Sequence, residues 1–397
     1  MVQRLRLRNF RSFRDASVEL RPLNILVGAN ASGKTNLVQA FRFLRDLARH
    51  GLEDAVGMQG GAEYLTNLHS REREVAITIT TEPHALVRPK GSSGAVLKVE
   101  SIQHELTIRT IRSKNSAQVV SEVLEARYTA LREDASKTLR ITRRGKIVRL
   151  QSPDPSLIHA LFTGGTRFEL DASTSLFELT PLVLGLPPFL YEANIAIYDF
   201  SPKQAKQAIP LTSPHVLSED GANLPLVIQQ LMRNPHQRER LLRLVQSVLP
   251  HIRQLQTTTL GGQHVQLQVQ EAYFDRRALP AMLLSDGTVE IVALLVALFF
   301  SRSRLHIIEE PDRNLHPALM PTLVELLRDA TEKDQVLITT HNPELIRHAR
   351  LDELILVERD REGNSIIKRP ADMEGVKIFL EEELGLDYLH THQLLGV

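Results

Sequence analysis

The chain has 397 residues, of which 42% are hydrophobic and 24% charged, a composition typical of globular proteins and long enough for two or three packed units. Its 48 Lys and Arg residues are balanced by 47 Asp and Glu, which gives a net charge of only +1. The overall charge therefore does not attract nucleic acid, and any contact with nucleic acid needs a local basic patch. Because the sequence contains no cysteine, it excludes disulfides, thiolate metal sites and cysteine catalysis.

The sequence shows no targeting or membrane segment. Residues 1–10 alternate charged and apolar side chains and lack the apolar core of a signal peptide. The longest apolar run, residues 291–300, is too short to span a bilayer. We therefore expect a cytoplasmic protein without membrane contact, in which residues 291–300 form a buried helix.

Two stretches of alternating polar and apolar residues open the chain, at residues 5–8 and 16–20. This pattern predicts an antiparallel pair of strands. Arg11 lies between them in the sequence Asn-Phe-Arg-Ser. It could reach a ligand of the motif that follows, or it could be a solvated arginine at a strand end.

A Gly-x-x-x-x-Gly-Lys-Thr motif occupies residues 28–35, after an apolar run at residues 23–27 and before an amphipathic stretch at residues 36–44. Strand, loop and helix in this order are the context that a phosphate-binding loop requires. The alternative is a glycine-rich turn with a solvated lysine.

Each residue type in this motif suits a polyphosphate. Gly28 and Gly33 let the backbone wrap around the phosphates at the positive end of the helix. Lys34 adds a charge for the β- and γ-phosphates, and the Thr35 hydroxyl is placed to bind Mg²⁺. The other candidate nucleotide contacts in and beside the loop are Asn30, Ala31, Ser32 and Asn36.

Residues of about 73 to 150 show period-2 alternation interrupted by turns, which predicts a meandering antiparallel sheet with one solvent-exposed face. The turns include residues 89–94 and 143–146. The predicted strands lie at residues 74–80, 97–100, 104–109, 125–130 and 139–142.

The predicted turn at residues 143–146 carries the strongest local basic cluster of the chain, which consists of Arg143, Arg144, Lys146 and Arg149. Such a hairpin tip could contact DNA. A charged tip can equally be a solvated turn.

The middle of the chain reads as mainly helical. Residues of about 155 to 190 are helical and loop-like, with prolines. Apolar residues at helical spacing predict one or two amphipathic helices over residues 224–252. Two strand-like runs follow, at residues 254–259 and 265–272.

A Leu-Ser-Asp-Gly-Thr turn at residues 284–288 precedes the apolar helix. Its backbone N–H groups and the Ser285 and Thr288 hydroxyls, with Gly287 between them, form an anion receptor suited to a γ-phosphate. Taken alone, the turn could simply be a capped helix.

Two adjacent carboxylates end the apolar strand that runs to residue 309. Alternation along the strand sends Glu309 and Glu310 in different directions, so Glu309 can hold Mg²⁺ through water while Glu310 polarises an attacking water. A further strand at residues 335–340 ends at His341, which could sense the γ-phosphate. A lone histidine would more often be structural.

The acidic residues Glu358, Asp360 and Glu362 allow two interpretations. They could belong to a metal-dependent nuclease. The sequence favours a hairpin turn at residues 359–364, between strands at residues 354–357 and 365–368.

Five elements in this order resemble the ABC-type ATPases of the SMC, RecF and OLD group. They are the Asn-Phe-Arg-Ser start with the Walker A loop at residues 28–35, the signature at residues 284–288, the Walker B and D-loop at residues 309–317, and the switch histidine at residues 340–343. Residues 218–225 look similar to the stand-alone predicted ATPase branch of this group, which has a Glu-Glu-Pro Walker B and an AAA-type P-loop.

The resemblance implies an α/β fold, the ABC-type head of P-loop NTPases, with an antiparallel β subdomain and a helical signature lobe. We expect the ATPase lobe to begin at residues 1–70, a β-rich insertion at 71–180, the helical lobe with connecting strands at 181–280, and the rest of the ATPase lobe at 281–397. ATP and Mg²⁺ are the implied ligands. A head-to-tail homodimer would sandwich two ATP molecules, each between one chain's P-loop and the other chain's Ser285 turn.

The chain departs from the group's pattern in three places. Ala31 replaces the usual loop glycine, and Glu309 replaces the usual Walker B aspartate. The Q-loop glutamine has no counterpart, and Asp199 or Ser201 stands at about its position. Only some 56 residues follow His341, too few for the Toprim domain of OLD proteins, so we expect none.

The leading hypothesis is therefore an ATP hydrolase whose dimerisation controls DNA engagement or a separately encoded effector, in phage defence or DNA repair. The alternative is a scaffold that holds ATP and hardly turns it over. A transporter motor is disfavoured by the Asn-Phe-Arg-Ser start and the β-rich insertion, and a GTPase by the lack of an Asn-Lys-x-Asp guanine motif.

Overall fold

A computed structural model describes residues 1–83, 85–87, 96–130, 135–155, 158, 165–178, 194–274 and 277–372. The strands of these residues are β1 (Val2–Phe10), β2 (Phe13–Glu19), β3 (Leu23–Val27), β4 (Glu74–Thr81), β5 (Ala85–Val87), β6 (Leu97–Ile111), β7 (Ser116–Ala130), β8 (Lys137–Arg144), β9 (Ile147–Gln151), β10 (Arg167–Glu169), β11 (Ile195–Tyr198), β12 (Ile209–Pro210), β13 (Ile252–Leu260), β14 (His264–Glu271), β15 (Ala278–Pro280), β16 (Leu305–Glu309), β17 (Gln335–Thr340), β18 (Leu354–Arg359) and β19 (Ser365–Lys368). The α-helices are α1 (Lys34–His50), α2 (Leu52–Met58), α3 (Pro202–Ala205), α4 (Leu224–Met232), α5 (Pro235–Val248), α6 (Asp286–Phe300), α7 (Met320–Ala330) and α8 (Pro343–His348).

A six-stranded sheet forms the centre of the fold, with strand order β11-β16-β17-β3-β18-β19. All of its pairs are parallel except β18 with β19. The strands β3, β16, β17 and β18 are almost fully buried, which is why they read as continuous apolar runs in the sequence. Because β3, β16 and β17 are parallel neighbours, the loops after them meet at one edge of the sheet.

A nine-stranded antiparallel sheet packs one face against α1 and leaves the other face in solvent. Its strands lie in the order β10-β9-β8-β7-β6-β4-β1-β2, and β5 pairs with β6. Apolar residues of β1 and β4 join those of α1 in one core, which includes Leu5, Leu7, Ile77, Phe41 and Leu44. The predicted meander with one exposed face is confirmed.

Two details of this sheet differ from the sequence prediction. The strands predicted at residues 97–100 and 104–109 form the single strand β6, whose pairing with β7 shifts register twice. The predicted opening strand pair is confirmed, but β1 also pairs with β4. The expected boundary at residue 70, between the first part of the ATPase lobe and the β-rich insertion, therefore separates strands of one sheet.

The helical lobe combines α4, α5 and α6 with the four-stranded sheet of β12 to β15. Of the one or two amphipathic helices predicted over residues 224–252, it contains two, and it confirms the two strand-like runs and the buried apolar helix. Among the described helices, none combines the length and the apolar character needed to cross a bilayer. The predicted turn at residues 89–94 and most of the segment at 155–190 lie outside the described residues.

The predicted exposed basic cluster is wrong for Arg143, whose side chain is buried with 1% of its surface exposed. Its Nε donates to the Gly145 carbonyl oxygen at 2.8 Å, and its other nitrogens bond to the carbonyl oxygens of Asp171 and Thr174. The fully buried Glu122 carboxylate lies 3.7 Å away. Alternation along β8 turns Arg143 inward together with Ile141, while Arg144 remains exposed.

This difference between neighbouring arginines predicts different effects on stability. Arg143→Ala should lower the free energy of unfolding by about 3 kcal/mol, because it leaves Glu122 as a buried charge with a lost partner. Arg144→Ala should change it by less than about 0.5 kcal/mol. Chemical denaturation of both variants measures the difference, and equal effects would contradict the burial of Arg143.

Candidate functional site

The Walker A loop connects β3 to α1 and is packed so tightly that two of its positions accept only glycine. A Cβ on Gly28 would lie 2.2 Å from the Val357 carbonyl oxygen. Gly33 has φ of +119°, and a Cβ there would lie 2.1 Å from the Ser365 hydroxyl oxygen. The loop backbone can therefore follow a tight curve at the N-terminus of α1, where helix N–H groups favour an anion. This geometry fits a bound polyphosphate.

The hairpin of β18 and β19 packs against the Walker A loop and is hydrogen-bonded to it. The Ser365 hydroxyl lies 2.6 Å from the Ser32 carbonyl oxygen and 2.8 Å from the Ser12 hydroxyl. Arg359 Nε donates to the Ala31 carbonyl oxygen at 2.9 Å. Ala31 has φ of 63°, a conformation that is costly for a residue other than glycine, so these contacts hold it in place.

The turn of this hairpin confirms the prediction at residues 359–364. Asp360 Oδ1 accepts hydrogen bonds from the backbone N–H groups of Glu362 and Asn364, at 2.9 and 2.8 Å. Glu358 pairs with Lys368. Asp360 thus stabilises the turn, Glu358 pairs across the two strands and Glu362 pairs with Arg14. The described part of the chain contains no group of three His, Cys, Asp or Glu side chains that could hold a metal ion.

A polar cleft of about 600 Å³ opens beside the Walker A loop. It brings together most of the nucleotide and metal residues predicted from distant parts of the sequence. Lys34 Nζ donates to the carbonyl oxygens of Gly28 and Ala29, at 2.6 and 3.1 Å. Burial lowers the pKa of Lys34, and the charge of Glu310 opposes that shift. The cleft is lined by Asn30, Ala31, Ser32, Gly33, Lys34, Thr35, Asn36, Gln39, Arg42, Asp199, Glu309, Glu310, Arg313, Thr339 and Arg359.

Oxygen groups suited to Mg²⁺ converge in this cleft. Glu309 ends β16 and is hydrogen-bonded to Thr35. Burial raises the pKa of Glu309, and the nearby Asp199 carboxylate adds to the shift. Carboxylates and hydroxyls are the ligands that Mg²⁺ prefers, and a divalent cation would relieve the repulsion between the two acids. The donor set therefore fits Mg²⁺.

Glu310 and His341 lie in contact at the ends of β16 and β17. His341 Nδ1 is 3.1 Å from Glu310 Oε1. Burial acts to raise the pKa of Glu310, but hydrogen bonds and charge from Arg313, together with His341, outweigh it and leave that pKa below its ordinary value. Glu310 is therefore a carboxylate at neutral pH, able to accept a hydrogen bond from water.

The signature turn lies outside this cleft. Ser285 is exposed, and its Oγ caps α6 by accepting from Thr288 N at 3.0 Å. The two hydroxyls are 2.8 Å apart, and a Cβ on Gly287 would lie 2.6 Å from the Asn314 carbonyl oxygen. These three residues line a separate cavity of about 530 Å³ that shares no lining residue with the Walker A cleft. Within one chain, the structure does not bring the Ser285 turn to the phosphate loop.

Arg11 lies next to the cleft rather than in it. Its guanidinium donates to the carbonyl and side-chain oxygens of Gln59, at 3.1 and 2.7 Å. It lines an adjoining cavity of about 310 Å³, which shares Asn36 and Arg359 with the cleft. A direct contact between Arg11 and a nucleotide stays a prediction.

The two residues at the expected Q-loop position lie in different surroundings. Asp199 lines the cleft, whereas Ser201 is the N-cap residue of the short helix α3 and its backbone N–H donates to the Asp220 carbonyl oxygen. Asp199 is thus the residue of that segment that faces the predicted nucleotide.

Sequence reasoning missed several cleft residues. Gln39 and Arg42 follow Thr35 at helical spacing, a signal that could have placed them on the cleft side of α1. Arg313 lies in a turn and Arg359 is the last residue of β18, positions at which no periodic pattern indicates which way a side chain points.

Glu290 is a buried acid on α6, with 3% of its surface exposed. Asn314 Nδ2 donates to its Oε2 at 2.6 Å, which ties the signature helix to the loop after β16. Burial raises the pKa of Glu290 to about 7.

This raised pKa predicts a pH-dependent stability. The folded protein favours the neutral acid, so the contribution of Glu290 is fully present below pH 4.5 and is lost as the pH rises to about 7. Between pH 5 and pH 8, the free energy of unfolding of Glu290→Gln should therefore gain about 3 kcal/mol relative to the wild type. Denaturation at both pH values measures this change, with the exposed Glu332→Gln as control. A pH-independent difference would contradict the buried neutral acid.

Two protein-family models match the chain. Residues 1–139 match a model described as an AAA ATPase domain. Residues 197–347 match an AAA domain model whose description refers to the AbiEii toxin of a type IV TA system. The two matches contain the Walker A loop and the Glu309-Glu310 pair respectively.

Curated relatives match at low identity. The DNA replication and repair protein RecF of Acidothermus cellulolyticus is 29% identical over 49% of this chain and 58% of its own length. The Septu protein PtuA of Bacillus thuringiensis is 28% identical over 21% of this chain and 22% of its own. An ATP/GTP phosphatase of Helicobacter pylori is 21% identical over 89% of this chain and 88% of its own length. The chain thus spans less than two thirds of the first two relatives.

Among solved structures, an SMC head bound to the C-winged helix domain of ScpA has the same fold. It superposes with a TM-score of 0.55 at 14% identity, over 92% of this chain and 97% of that one. The predicted fold class is thereby confirmed. The chain therefore has the fold of an SMC head, and parts of its sequence are similar to RecF and to AAA ATPase domains.

Proposed function

We propose that this chain binds ATP with Mg²⁺ in the Walker A cleft and hydrolyses it to ADP and phosphate. The observation that supports this most strongly is the position of Glu310. It is ionised, in contact with His341, and lies in the same cleft as Lys34 and Thr35. A scaffold that only holds ATP would not need an oriented carboxylate at this position.

The side chains divide the chemistry between them. Lys34 and the loop backbone would hold the β- and γ-phosphates, and Thr35 with Glu309 and Asp199 would hold Mg²⁺, which withdraws charge from the phosphates. Glu310 would orient a water and accept its proton as the water oxygen bonds to the γ-phosphorus. The bond from that phosphorus to the β–γ bridging oxygen breaks, and ADP leaves. His341 would contact the γ-phosphate from its place beside Glu310.

The signature turn supports a site shared by two chains. Ser285 is exposed in a cavity separate from the Walker A cleft, so its anion-binding groups would face a nucleotide held by a second copy. We propose a head-to-tail homodimer that closes when ATP is sandwiched and opens after hydrolysis.

The dimer cycle would control DNA engagement or a separately encoded effector, in phage defence or DNA repair. The name of the RecF relative refers to DNA replication and repair. The exposed sheet face adds a local basic patch, in which Arg149 lies directly opposite Arg167 on the neighbouring strand and Arg144 lies on the same face. Like charges placed opposite each other are unfavourable unless an anion compensates them, and a DNA backbone would do so.

Phosphate release tests the proposal. Wild-type protein with ATP and Mg²⁺ should show steady turnover that is about 10²- to 10⁴-fold slower in Glu310→Gln. Equal and negligible rates in both proteins would support the scaffold alternative instead. Repeating the assay with duplex DNA at two salt concentrations tests DNA engagement, since phosphate contacts weaken as salt rises.

A further inference from the structure

Arg313 connects two carboxylates of the cleft that come from different strands. Its Nε donates to Glu310 Oε2 at 3.0 Å, and a terminal nitrogen of the same guanidinium is also 3.0 Å from that oxygen. A terminal nitrogen lies 3.6 Å from Asp199 Oδ1. Glu310 follows β16 and Asp199 follows β11, which are parallel neighbours. One guanidinium thus bridges the ends of both strands.

The turn that carries Arg313 is built around Glu310. Glu310 has φ of 45°, which is unfavourable for a residue with a side chain, and the Arg313 N–H donates to the Glu310 carbonyl oxygen at 3.1 Å. The turn therefore places the Arg313 side chain beside the Glu310 carboxylate. Arg313 lines the Walker A cleft and is half exposed.

These contacts hold the two oxygens of Glu310 in place. Oε1 lies against His341 and Oε2 against Arg313, so the carboxylate cannot rotate without losing a contact. A group that orients water in a reaction has to be held in a narrow range of orientations, and loss of its support lowers the rate even when the substrate still binds.

We infer that Arg313 is a positioning residue for hydrolysis, which holds the Glu310 carboxylate by its Oε2 atom and ties it to Asp199. This inference rests on the proposed function, because it assigns Arg313 to the same reaction. Arg313 would act through Glu310 and would add little to the affinity for ATP.

Steady-state ATP hydrolysis by five variants tests the inference. In Arg313→Ala, kcat should fall by about 10- to 100-fold while KM for ATP stays within about threefold. Arg313→Lys should recover part of kcat, because lysine keeps the charge and one hydrogen bond but not the bridging geometry. The double variant Arg313→Ala with Glu310→Gln should be no slower than Glu310→Gln alone, because the group that Arg313 positions is already lost. As a matched control, Arg243→Ala removes an exposed arginine that pairs with Glu239 on α5 and should keep wild-type kcat.

Four results would overturn the inference. The first is a kcat of Arg313→Ala equal to that of the wild type. The second is a rise in KM at unchanged kcat, which would make Arg313 a nucleotide ligand. The third is a further loss of rate in the double variant. The fourth is a melting temperature of Arg313→Ala low enough to account for the loss, without rescue by lysine. If the wild type itself hydrolyses no ATP, the proposed function fails instead.

Discussion

Replacement of Lys34 by methionine is expected to abolish ATP binding at micromolar nucleotide. The Lys34 ammonium is buried in the cleft and donates to the carbonyl oxygens of Gly28 and Ala29, at a position where the phosphates would lie. Methionine keeps the length and the apolar stem of the side chain but removes the charge. A charge-assisted hydrogen bond to phosphate contributes about 3 kcal/mol, so the dissociation constant should rise by about 100-fold or more.

Titration with a fluorescent ATP analogue or calorimetry measures this loss. Lys98→Met, which removes an exposed ammonium on the antiparallel sheet, serves as the control and should bind ATP like the wild type. Because burial lowers the pKa of Lys34, loss of its charge should not destabilise the fold. Unchanged ATP affinity in Lys34→Met, with an unchanged melting temperature, would show that the nucleotide binds elsewhere.

Replacement of Glu310 by glutamine is expected to reduce kcat by about 10²- to 10⁴-fold while ATP still binds. Glutamine keeps the shape of the side chain and one oxygen that can accept from Arg313. It cannot take the proton of the attacking water. The Lys34 and Thr35 side chains of the cleft are unchanged, so the affinity for ATP should remain within a few fold of the wild type.

Single-turnover hydrolysis and ATP binding, measured on the same preparation, separate the two effects. Glu362→Gln is the matched control, because Glu362 is an exposed carboxylate in the turn of the β18–β19 hairpin and pairs with Arg14 of β2. Its kcat should equal that of the wild type. A Glu310→Gln variant that hydrolyses ATP at the wild-type rate would mean that another group, such as Glu309, acts as the base.

Much of this site could be predicted from the sequence because each of its parts has a local signature. The Walker A loop is marked by Gly28, Gly33 and Lys34 between a buried strand and a helix. The Glu309-Glu310 pair is marked by the apolar run of β16. Parallel neighbouring strands then bring these segments to one edge of the sheet, a consequence of topology that the family resemblance supplied.

The features of the fold and the site that could not be predicted depend on the direction in which individual side chains point. Arg143 was expected in the basic tip, yet the inward register of β8 buries it against Glu122. The guanidinium of Arg11 bonds to Gln59, a contact that the sequence does not indicate, and it lines a cavity beside the cleft. Arg313 carries no signal of its role, because the positive φ of Glu310 creates a turn that no periodic pattern indicates. In each case a tertiary contact decides the orientation.

The claim on which the whole account depends is that one chain's Walker A cleft and another chain's Ser285 turn form a single ATP site. Solution mass with ATP and Mg²⁺ tests it directly, by comparing Glu310→Gln with the double variant Glu310→Gln, Ser285→Arg. We predict that the first is a dimer in ATP and a monomer without it, and that the second binds ATP equally well but remains a monomer. A double variant that dimerises in ATP as well as Glu310→Gln would contradict the shared site.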